Sequence, residues 1–306
     1  MTSTNRSGRA EGSSLTGPLA AFGLLGLLWG YNWVVMKLAL RDAGPIDFAM
    51  LRVVFGTLVT FALLPMLNVP FRPPRHIGKT ILLGLFQTTG FVGLISWSLA
   101  LGQAGKSAVL AYTMPFWVIL FGWPFLGERL RGLQWPAVVL AFAGLVLVLE
   151  VWRGGAGLAN SVIALAAGAS WGVSVIIAKK IPVKGREELV SLTAWQMAFG
   201  SLPLVAAALL VPERPIEWTA YFIGAVAYNA IGGTAIAMLL WLYILQRLPA
   251  TVSGLSSLIV PIVGVGAAWA QLGERPTAAE GTGIVLILAA LALLALAGRE
   301  TGPAAP

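Results

Sequence analysis

The sequence predicts an all-α polytopic membrane protein in which ten transmembrane helices form two five-helix repeats of opposite orientation. Three observations predict it: an apolar composition, a series of apolar runs long enough to cross a bilayer, and matching residues in the two halves. Hydrophobic residues make up 58% of the 306 residues and charged residues only 10%. A soluble domain carries about 25% charged residues, so the solvent of this chain is a lipid bilayer.

The composition also excludes several classes of protein. The chain contains no cysteine, which excludes disulfides, zinc-thiolate sites and iron–sulfur clusters. The net charge of +8 is spread over short loops and forms no basic patch, so nucleic acid is not expected as a partner. The single histidine, His76, lies in a basic loop, so we expect neither a metal site nor a cofactor.

Ten apolar runs approach the length of about 20 residues that a membrane helix requires. A polar tail at residues 1–17 comes first and is expected to be disordered and cytoplasmic. The first run continues to Leu40 without a small-residue cleavage site, so it is expected to be a retained helix rather than a signal peptide. The predicted spans are 18–40, 46–67, 77–101, 106–126, 133–152, 157–179, 189–211, 218–245, 250–272 and 278–298.

The distribution of Lys and Arg predicts the orientation of these spans. With the N-terminus in the cytoplasm, the cytoplasmic side carries 13 Lys and Arg residues and the opposite side five. Cytoplasmic loops carry the excess of positive charge, so both termini are predicted to be cytoplasmic.

The two halves share residues at a nearly constant offset. Leu126–Arg129 and Leu272–Arg275 both read Leu-Gly-Glu-Arg, 146 residues apart, and Pro115 and Pro261 precede the two glycines by twelve residues. The dipeptides Trp29-Gly30 and Trp171-Gly172 match at an offset of 142.

Five spans per half is an odd number, so the halves are expected to have opposite orientation. The predicted units are a first repeat at 18–153, a second repeat at 154–298 and a cytoplasmic tail at 299–306. Inverted repeats are a recurrent design in transporters, with the substrate near the midplane between them.

These motifs resemble those of the EamA-type drug/metabolite transporter superfamily over residues 19–297. The resemblance implies ten helices, a central cavity lined by helices 1, 3, 4, 6, 8 and 9, and movement of a small metabolite without covalent chemistry. The nearest likeness is to bacterial inner-membrane exporters of aromatic and other neutral amino acids, which implies an inner-membrane location.

Polar and aromatic residues within the spans are the candidates for the substrate cavity. Hydrogen bonding between helices, helix packing and, for Lys37, snorkelling to the interface are the alternative roles. The candidates are Trp29, Asn32, Trp33, Lys37, Gln87, Trp97, Tyr112, Trp117, Trp171, Tyr228, Asn229, Trp241 and Ser256. Arg52, also within a span, is open to the same two interpretations as Lys37.

The repeated prolines and the repeated Glu-Arg pairs have other predicted roles. Pro115 and Pro261 each lack an N–H and clash with a carbonyl four residues earlier, which predicts a kink or hinge. Glu128, Arg129, Glu274 and Arg275 are predicted to form structural ion pairs at helix ends.

The absence of carboxylates in the middle of the spans narrows the function. A proton-coupled exporter of organic cations would be expected to keep such a group, so uncoupled export of a neutral or zwitterionic solute is favoured over that alternative. An integral-membrane enzyme is a weaker alternative, because no paired carboxylates or His/Asp/Ser constellation occurs. The sequence leaves open the substrate, the direction of transport, the coupling ion and the oligomeric state, a monomer included.

Overall fold

The computed structural model describes residues 16–127, 132–150, 152, 156–237, 240 and 256–300, and this part of the chain is helical. Two segments have the wider turn of a π-helix and are labelled π1 and π2. The elements are α1 Thr16–Ala39, α2 Pro45–Met66, α3 Ile77–Gly84, π1 Leu85–Gly90, α4 Phe91–Leu101, α5 Ala104–Ala111, α6 Met114–Leu126, α7 Gln134–Leu149, α8 Ala156–Lys179, α9 Gly185–Leu210, α10 Ala220–Ala227, π2 Tyr228–Ile236, α11 Ser256–Leu272 and α12 Ala278–Glu300.

Seven helical segments are long and apolar enough to cross a bilayer. They are Ala20–Ala39, Pro45–Met66, Ile77–Leu101, Ala104–Phe125, Gly157–Lys179, Gly185–Leu210 and Ala278–Leu296. The other three predicted spans correspond to shorter apolar helices in the described part of the chain, Gln134–Leu149, Ala220–Ile236 and Ile259–Leu272. The all-helical, multi-pass prediction is confirmed. Seven of the ten predicted spans have the expected length.

The predicted span at 106–126 is broken in the middle. Helix α5 ends at Ala111, α6 begins at Met114, and Pro115 lies in the first turn of α6, where a missing N–H costs no helical hydrogen bond. Thr113 Oγ1 donates to the carbonyl of Leu110 at 2.6 Å, which satisfies one of the carbonyls left at the break. Pro261, by contrast, lies inside the continuous helix α11. Pro115 therefore lies next to a break between two helices, whereas Pro261 lies within a helix that is continuous over its described residues.

The glycines of the repeated Leu-Gly-Glu-Arg motif end their helices in the same way. Gly127 has φ +70° and Gly273 has φ +68°. A left-handed residue at this position is a common helix C-cap and favours glycine, which has no Cβ. The two motifs therefore share a local structure as well as a sequence.

Corresponding helices of the two halves make corresponding contacts. Helix α1 packs on α11, and its counterpart α8 packs on α5 and α6; α2 packs on π2, and its counterpart α9 packs on π1. The helices approach closely at the glycines of the Trp-Gly motifs, since a Cβ on Gly30 would lie 2.5 Å from Cβ of Val263, and one on Gly172 would lie 2.6 Å from Cβ of Trp117. Residues 117 and 263 are themselves 146 positions apart, so each contact joins the Trp-Gly glycine of one repeat to the equivalent position of the other repeat.

We call the end of the bundle that carries residues 40–44, 102–103, 211–219 and 273–277 end A, and the end that carries 67–76 and 180–184 end B. At end A, Glu213 Oε2 accepts hydrogen bonds from the N–H groups of Ile46 and Asp47, at 3.0 and 2.9 Å. These two donors belong to the first turn of α2, which has no intrahelical partner for them. Thr219 Oγ1 also donates to Asp42 at 2.6 Å, so the 211–219 loop is held against the turn between α1 and α2.

Candidate functional site

The aromatic residues of α1 are joined to the second half through π2. Trp29 Nε1 donates to the carbonyl of Gly233 at 3.0 Å, and Tyr228 Oη donates in the other direction to the carbonyl of Leu28 at 2.7 Å. Trp33 is 4% exposed and meets the Tyr112 ring edge-on at 6.4 Å between centroids. These four side chains belong to one hydrophobic cluster, the first aromatic layer, which joins α1, π2 and the end of α5.

A second aromatic group lies where α8 of the second half meets α4 and α6 of the first half. The Trp171 ring meets Phe91 edge-on at 4.7 Å, and the Trp117 ring stacks on Phe121 at 5.8 Å. Trp117 Nε1 donates to Thr113 Oγ1 at 3.2 Å, at the break between α5 and α6. Both halves therefore place tryptophans where their central helices cross.

Two carboxamides are buried near the first aromatic layer with an unused acceptor each. Asn32 is 6% exposed and Asn229 is 2% exposed, and neither Oδ1 has a hydrogen-bond donor. Asn229 Nδ2 donates to the carbonyl of Ala225 at 3.0 Å. A buried acceptor without a partner costs about 1–3 kcal/mol, so both oxygens are places where a donor would bind favourably.

The two threonines of π1 have hydrogen-bond partners on α9. Thr88 Oγ1 donates to Gln196 Oε1 at 2.9 Å, and Thr89 Oγ1 donates to the carbonyl of Gly200 at 2.6 Å. Gln87 is half-buried. The two threonines hold π1 against α9, which is the interhelical role that polar residues commonly have in membranes.

Lys37 and Glu274 hold the turn between α4 and α5 at end A. Lys37 Nζ donates to the carbonyls of Leu99 and Gly102, each at 2.6 Å. Glu274 Oε1 and Oε2 accept from the N–H groups of Ala104 and Gly105, at 2.8 and 2.9 Å. A cation thus binds the C-terminal end of one helix and an anion binds the N-terminal end of the next, as the helix dipoles favour.

Glu274 therefore caps a helix instead of forming the predicted ion pair. The carboxylate lies opposite two N–H groups that have no intrahelical partner, and these take both of its oxygens. An ion pair in the described part of the chain joins Lys106 Nζ to Glu280 Oε1 at 2.8 Å. Arg275 is exposed, and Glu128 and Arg129 lie outside the described residues.

Arg52 carries a positive charge within α2. Its guanidinium donates to the thioether sulfur of Met36 on α1. Met36 is 3% exposed, so the guanidinium is held against the buried face of α1.

Three other candidates lie away from this centre or outside the described part. Trp97 is 49% exposed, whereas its neighbours Ser96 and Ser98 are fully buried, so it lies on the outer face of α4. Trp241 lies outside the described residues. Ser256 belongs to α11, but its side chain lies outside the described part.

A cavity of about 250 Å³ opens at end A between the α4–α5 turn, α7, α8 and α12. Lys106, Glu150, Asn160 and Glu280 supply its polar lining. None of the predicted cavity residues lines it, so this cavity differs from the predicted central one.

The two repeats found in the sequence correspond to two matches of one protein-family model. A family model described as the EamA-like transporter family matches the chain twice, over residues 16–150 and 160–296. The chain belongs to the EamA-like transporter family. It is therefore a multi-pass membrane protein of a family of transporters.

Two curated relatives match this EamA-family chain at 30% identity. The probable amino-acid metabolite efflux pump of Escherichia coli is similar over 282 residues, which cover 88% of this chain and 91% of that protein. The riboflavin transporter of Rhizobium johnstonii is similar over 203 residues, which cover 63% of this chain and 62% of that protein.

A solved crystal structure shares the fold of this EamA-family chain. It is 21% identical, has a TM-score of 0.61 and covers 94% of this chain and 99% of the other. At this identity the likeness extends to the fold alone.

Two residues with contacts between helices, Arg52 and Glu213, were not among the predicted cavity residues. Arg52 was a possible ligand from its charge within a span, but its contact with Met36 depends on how α1 packs on α2. Glu213 lies in a loop, and nothing in the sequence indicates that it caps α2.

Proposed function

We propose that this protein exports small amphipathic metabolites, with aromatic and other neutral amino acids as substrates. Two inverted repeats alternately open a midplane site to each side of the bacterial inner membrane, and no covalent chemistry occurs. In this proposal both termini are cytoplasmic and end A faces away from the cytoplasm.

The observation that carries the proposal is the matched pair of helix crossings. Gly30 lies against Val263 and Gly172 lies against Trp117, so equivalent positions form both contacts between the halves. Transporters with inverted repeats place the substrate between such halves and move one against the other. The Trp-rich layers at these crossings suit the apolar side chain of an aromatic substrate.

Amino acids are favoured over organic cations because of the charges in the spans. The acidic residues of the described helices lie near helix ends: Asp47, Glu187, Glu188 and Glu280 in first turns, and Glu300 at a last residue. A cation or proton site would need such a carboxylate near the midplane. The Escherichia coli relative, named as a probable amino-acid metabolite efflux pump, supports the same choice.

Efflux from liposomes tests the proposal. Purified protein is reconstituted into liposomes that hold labelled L-phenylalanine, L-leucine, riboflavin or a lipophilic cation, and release is followed with and without a pH gradient. We expect release of both amino acids without a gradient, above that of protein-free liposomes.

The other outcomes assign the protein elsewhere. Release of the lipophilic cation alone, and only with a proton gradient, would contradict the proposal and favour a proton-coupled cation exporter. Release of riboflavin without either amino acid would favour the substrate in the name of the Rhizobium johnstonii relative.

A further inference from the structure

The guanidinium of Arg52 is a charge within a membrane span that has no carboxylate partner in the described part of the chain. Arg52 lies seven residues after α2 begins at Pro45, about 10 Å along the axis at 1.5 Å per residue. Its hydrogen-bond acceptor is the Met36 thioether, which is a weak one, and a guanidinium has five N–H donors. Charged residues inside membrane spans are costly and mark ligand or ion pathways.

The unused amide oxygen of Asn32 belongs to the same face of α1 as the Arg52 contact. Asn32 and Met36 are four residues apart on one helix, so they are neighbours on its surface and about 6 Å apart along the axis. Trp29 lies one turn further along this face. A cation, an acceptor and an aromatic ring thus follow one another from end A towards the centre.

Asn229, which carries the second unused oxygen, lies on π2, and π2 packs on both α1 and α2. The carbonyl of Asn229 accepts from Thr234 Oγ1 at 2.9 Å. Thr234 in turn packs against α2, where a Cβ on Gly56 would lie 3.2 Å from its Oγ1. Gly56 is one turn from Arg52, and a Cβ on Gly233, one turn after Asn229, would lie 3.8 Å from Nδ2 of Asn32. Helices α1, α2 and π2 therefore meet beside these three residues.

The matching position in the second half has no unused group. Gln196 lies 144 residues after Arg52, and its Oε1 accepts from Thr88. At this position the first half therefore carries a cation without a carboxylate partner among the described residues, whereas the second half carries an amide that is already hydrogen-bonded.

We propose that Arg52, Asn32 and Asn229 bind the carboxylate and the ammonium group of an amino acid, an inference that rests on the proposed function. A guanidinium binds a carboxylate through two parallel hydrogen bonds. An ammonium group carries three donors, and the two Asn Oδ1 atoms supply acceptors for two of them. The side chain of the amino acid then lies along Trp29 and its aromatic neighbours, so the substrate class is a zwitterion with an apolar side chain.

Three probes distinguish binding of the carboxylate from binding of the ammonium group. L-phenylalanine carries both charged groups, L-phenylalaninamide lacks the carboxylate, and 3-phenylpropionate lacks the ammonium group. Binding of each is measured by isothermal titration calorimetry on detergent-solubilised wild type, Arg52→Gln and the double variant Asn32→Ala/Asn229→Ala. Arg75→Gln removes an exposed loop cation and is the charge-matched control.

We expect Arg52→Gln to weaken binding of L-phenylalanine by about 10- to 100-fold, the value of a charge-assisted hydrogen bond, and to leave L-phenylalaninamide within twofold. The Asn double variant should weaken both ammonium-bearing probes about 10-fold and leave 3-phenylpropionate within twofold. Arg75→Gln should bind all three as the wild type does. Because each variant keeps one probe, a folding defect cannot produce this pattern.

Equal weakening of L-phenylalanine and L-phenylalaninamide by Arg52→Gln would overturn the inference, as would unchanged binding of both. If the wild type still releases amino acids from liposomes, the proposed function stands and only this site is wrong. If the wild type neither binds nor releases amino acids, the proposed function fails and the inference fails with it.

Discussion

Replacing Gly30 by alanine tests whether the crossing of α1 and α11 holds the two halves together. The added Cβ would lie 2.5 Å from Cβ and 2.6 Å from Cγ1 of Val263, and 3.1 Å from the carbonyl oxygen of Val260. Carbon atoms in ordinary contact are about 3.5–4.0 Å apart, so the helices must part by about 1 Å. Val263 is β-branched and rotates little, and the Val260 carbonyl belongs to the backbone, so neither can move aside cheaply.

The expected cost follows from this overlap. Inserting a methyl group into a packed interface costs about 1–3 kcal/mol, while alanine gains up to about 1 kcal/mol over glycine in a helix. Gly23→Ala on the same helix isolates the second term, because nothing lies within 4 Å of its Cβ position. The two variants should therefore differ by about 1–3 kcal/mol, or about 2–5 °C in apparent melting temperature for a chain of 306 residues.

Intrinsic tryptophan fluorescence of the detergent-solubilised protein during heating measures this difference. Gly172→Ala, at the matching crossing, should behave as Gly30→Ala does, because its Cβ would lie 2.6 Å from Cβ of Trp117. Melting temperatures of Gly30→Ala and Gly23→Ala within 1 °C of each other would refute the reasoning.

Two further predictions concern end A and the repeated prolines. Glu274→Gln removes the charge that binds two N–H groups of α5, so the turn between α4 and α5 should open more often. A cysteine introduced at position 103, in a chain that has no native cysteine, should then react several-fold faster with a membrane-impermeant maleimide. An unchanged rate would show that the Glu274 cap does not hold the turn. Pro115→Ala or Pro261→Ala should slow amino-acid efflux from liposomes more than it weakens binding. Pro115 lies at the break between α5 and α6, and Pro261 removes a hydrogen bond inside α11, so both positions permit bending. Unchanged efflux rates in both variants would contradict the hinge.

The repeat was readable from sequence because its residues act locally. The repeated Leu-Gly-Glu-Arg motif has the same local structure in both halves, because Gly127 and Gly273 both end a helix with a positive φ. Small residues allow helices to approach closely in membranes, which is the role of Gly30 and Gly172. Composition and apolar run length likewise predicted the all-helical, multi-pass fold.

Other features depend on which helices meet, and no local pattern encodes that. Glu274 was predicted to form an ion pair, but the N-terminus of α5 happens to lie opposite it. Arg52 contacts Met36 only because α1 packs beside α2. These contacts join residues 16 to 170 positions apart, beyond the reach of a periodicity.

The two prolines show how one neighbouring residue changes the outcome of a shared motif. Thr113, two residues before Pro115, uses its hydroxyl to satisfy the Leu110 carbonyl at the break. The equivalent residue before Pro261 is Ile259, which has no hydroxyl. The Thr113 hydroxyl therefore adds a second hydrogen bond to the Leu110 carbonyl, which also accepts the Thr113 N–H, whereas α11 is continuous at the equivalent position.

The two π-helical segments have a consequence for how side chains can be redirected. A π-turn holds one more residue than an α-turn, so π1 and π2 each store surplus backbone within an otherwise regular helix. When such a surplus migrates by one position, the residue it passes rotates by about 100°, and the rest of the helix keeps its place. Gln87 and Asn229 both lie in these segments. Migration of the π-turn by one residue would therefore rotate either side chain towards or away from the centre of the bundle, while the ends of its helix stay fixed.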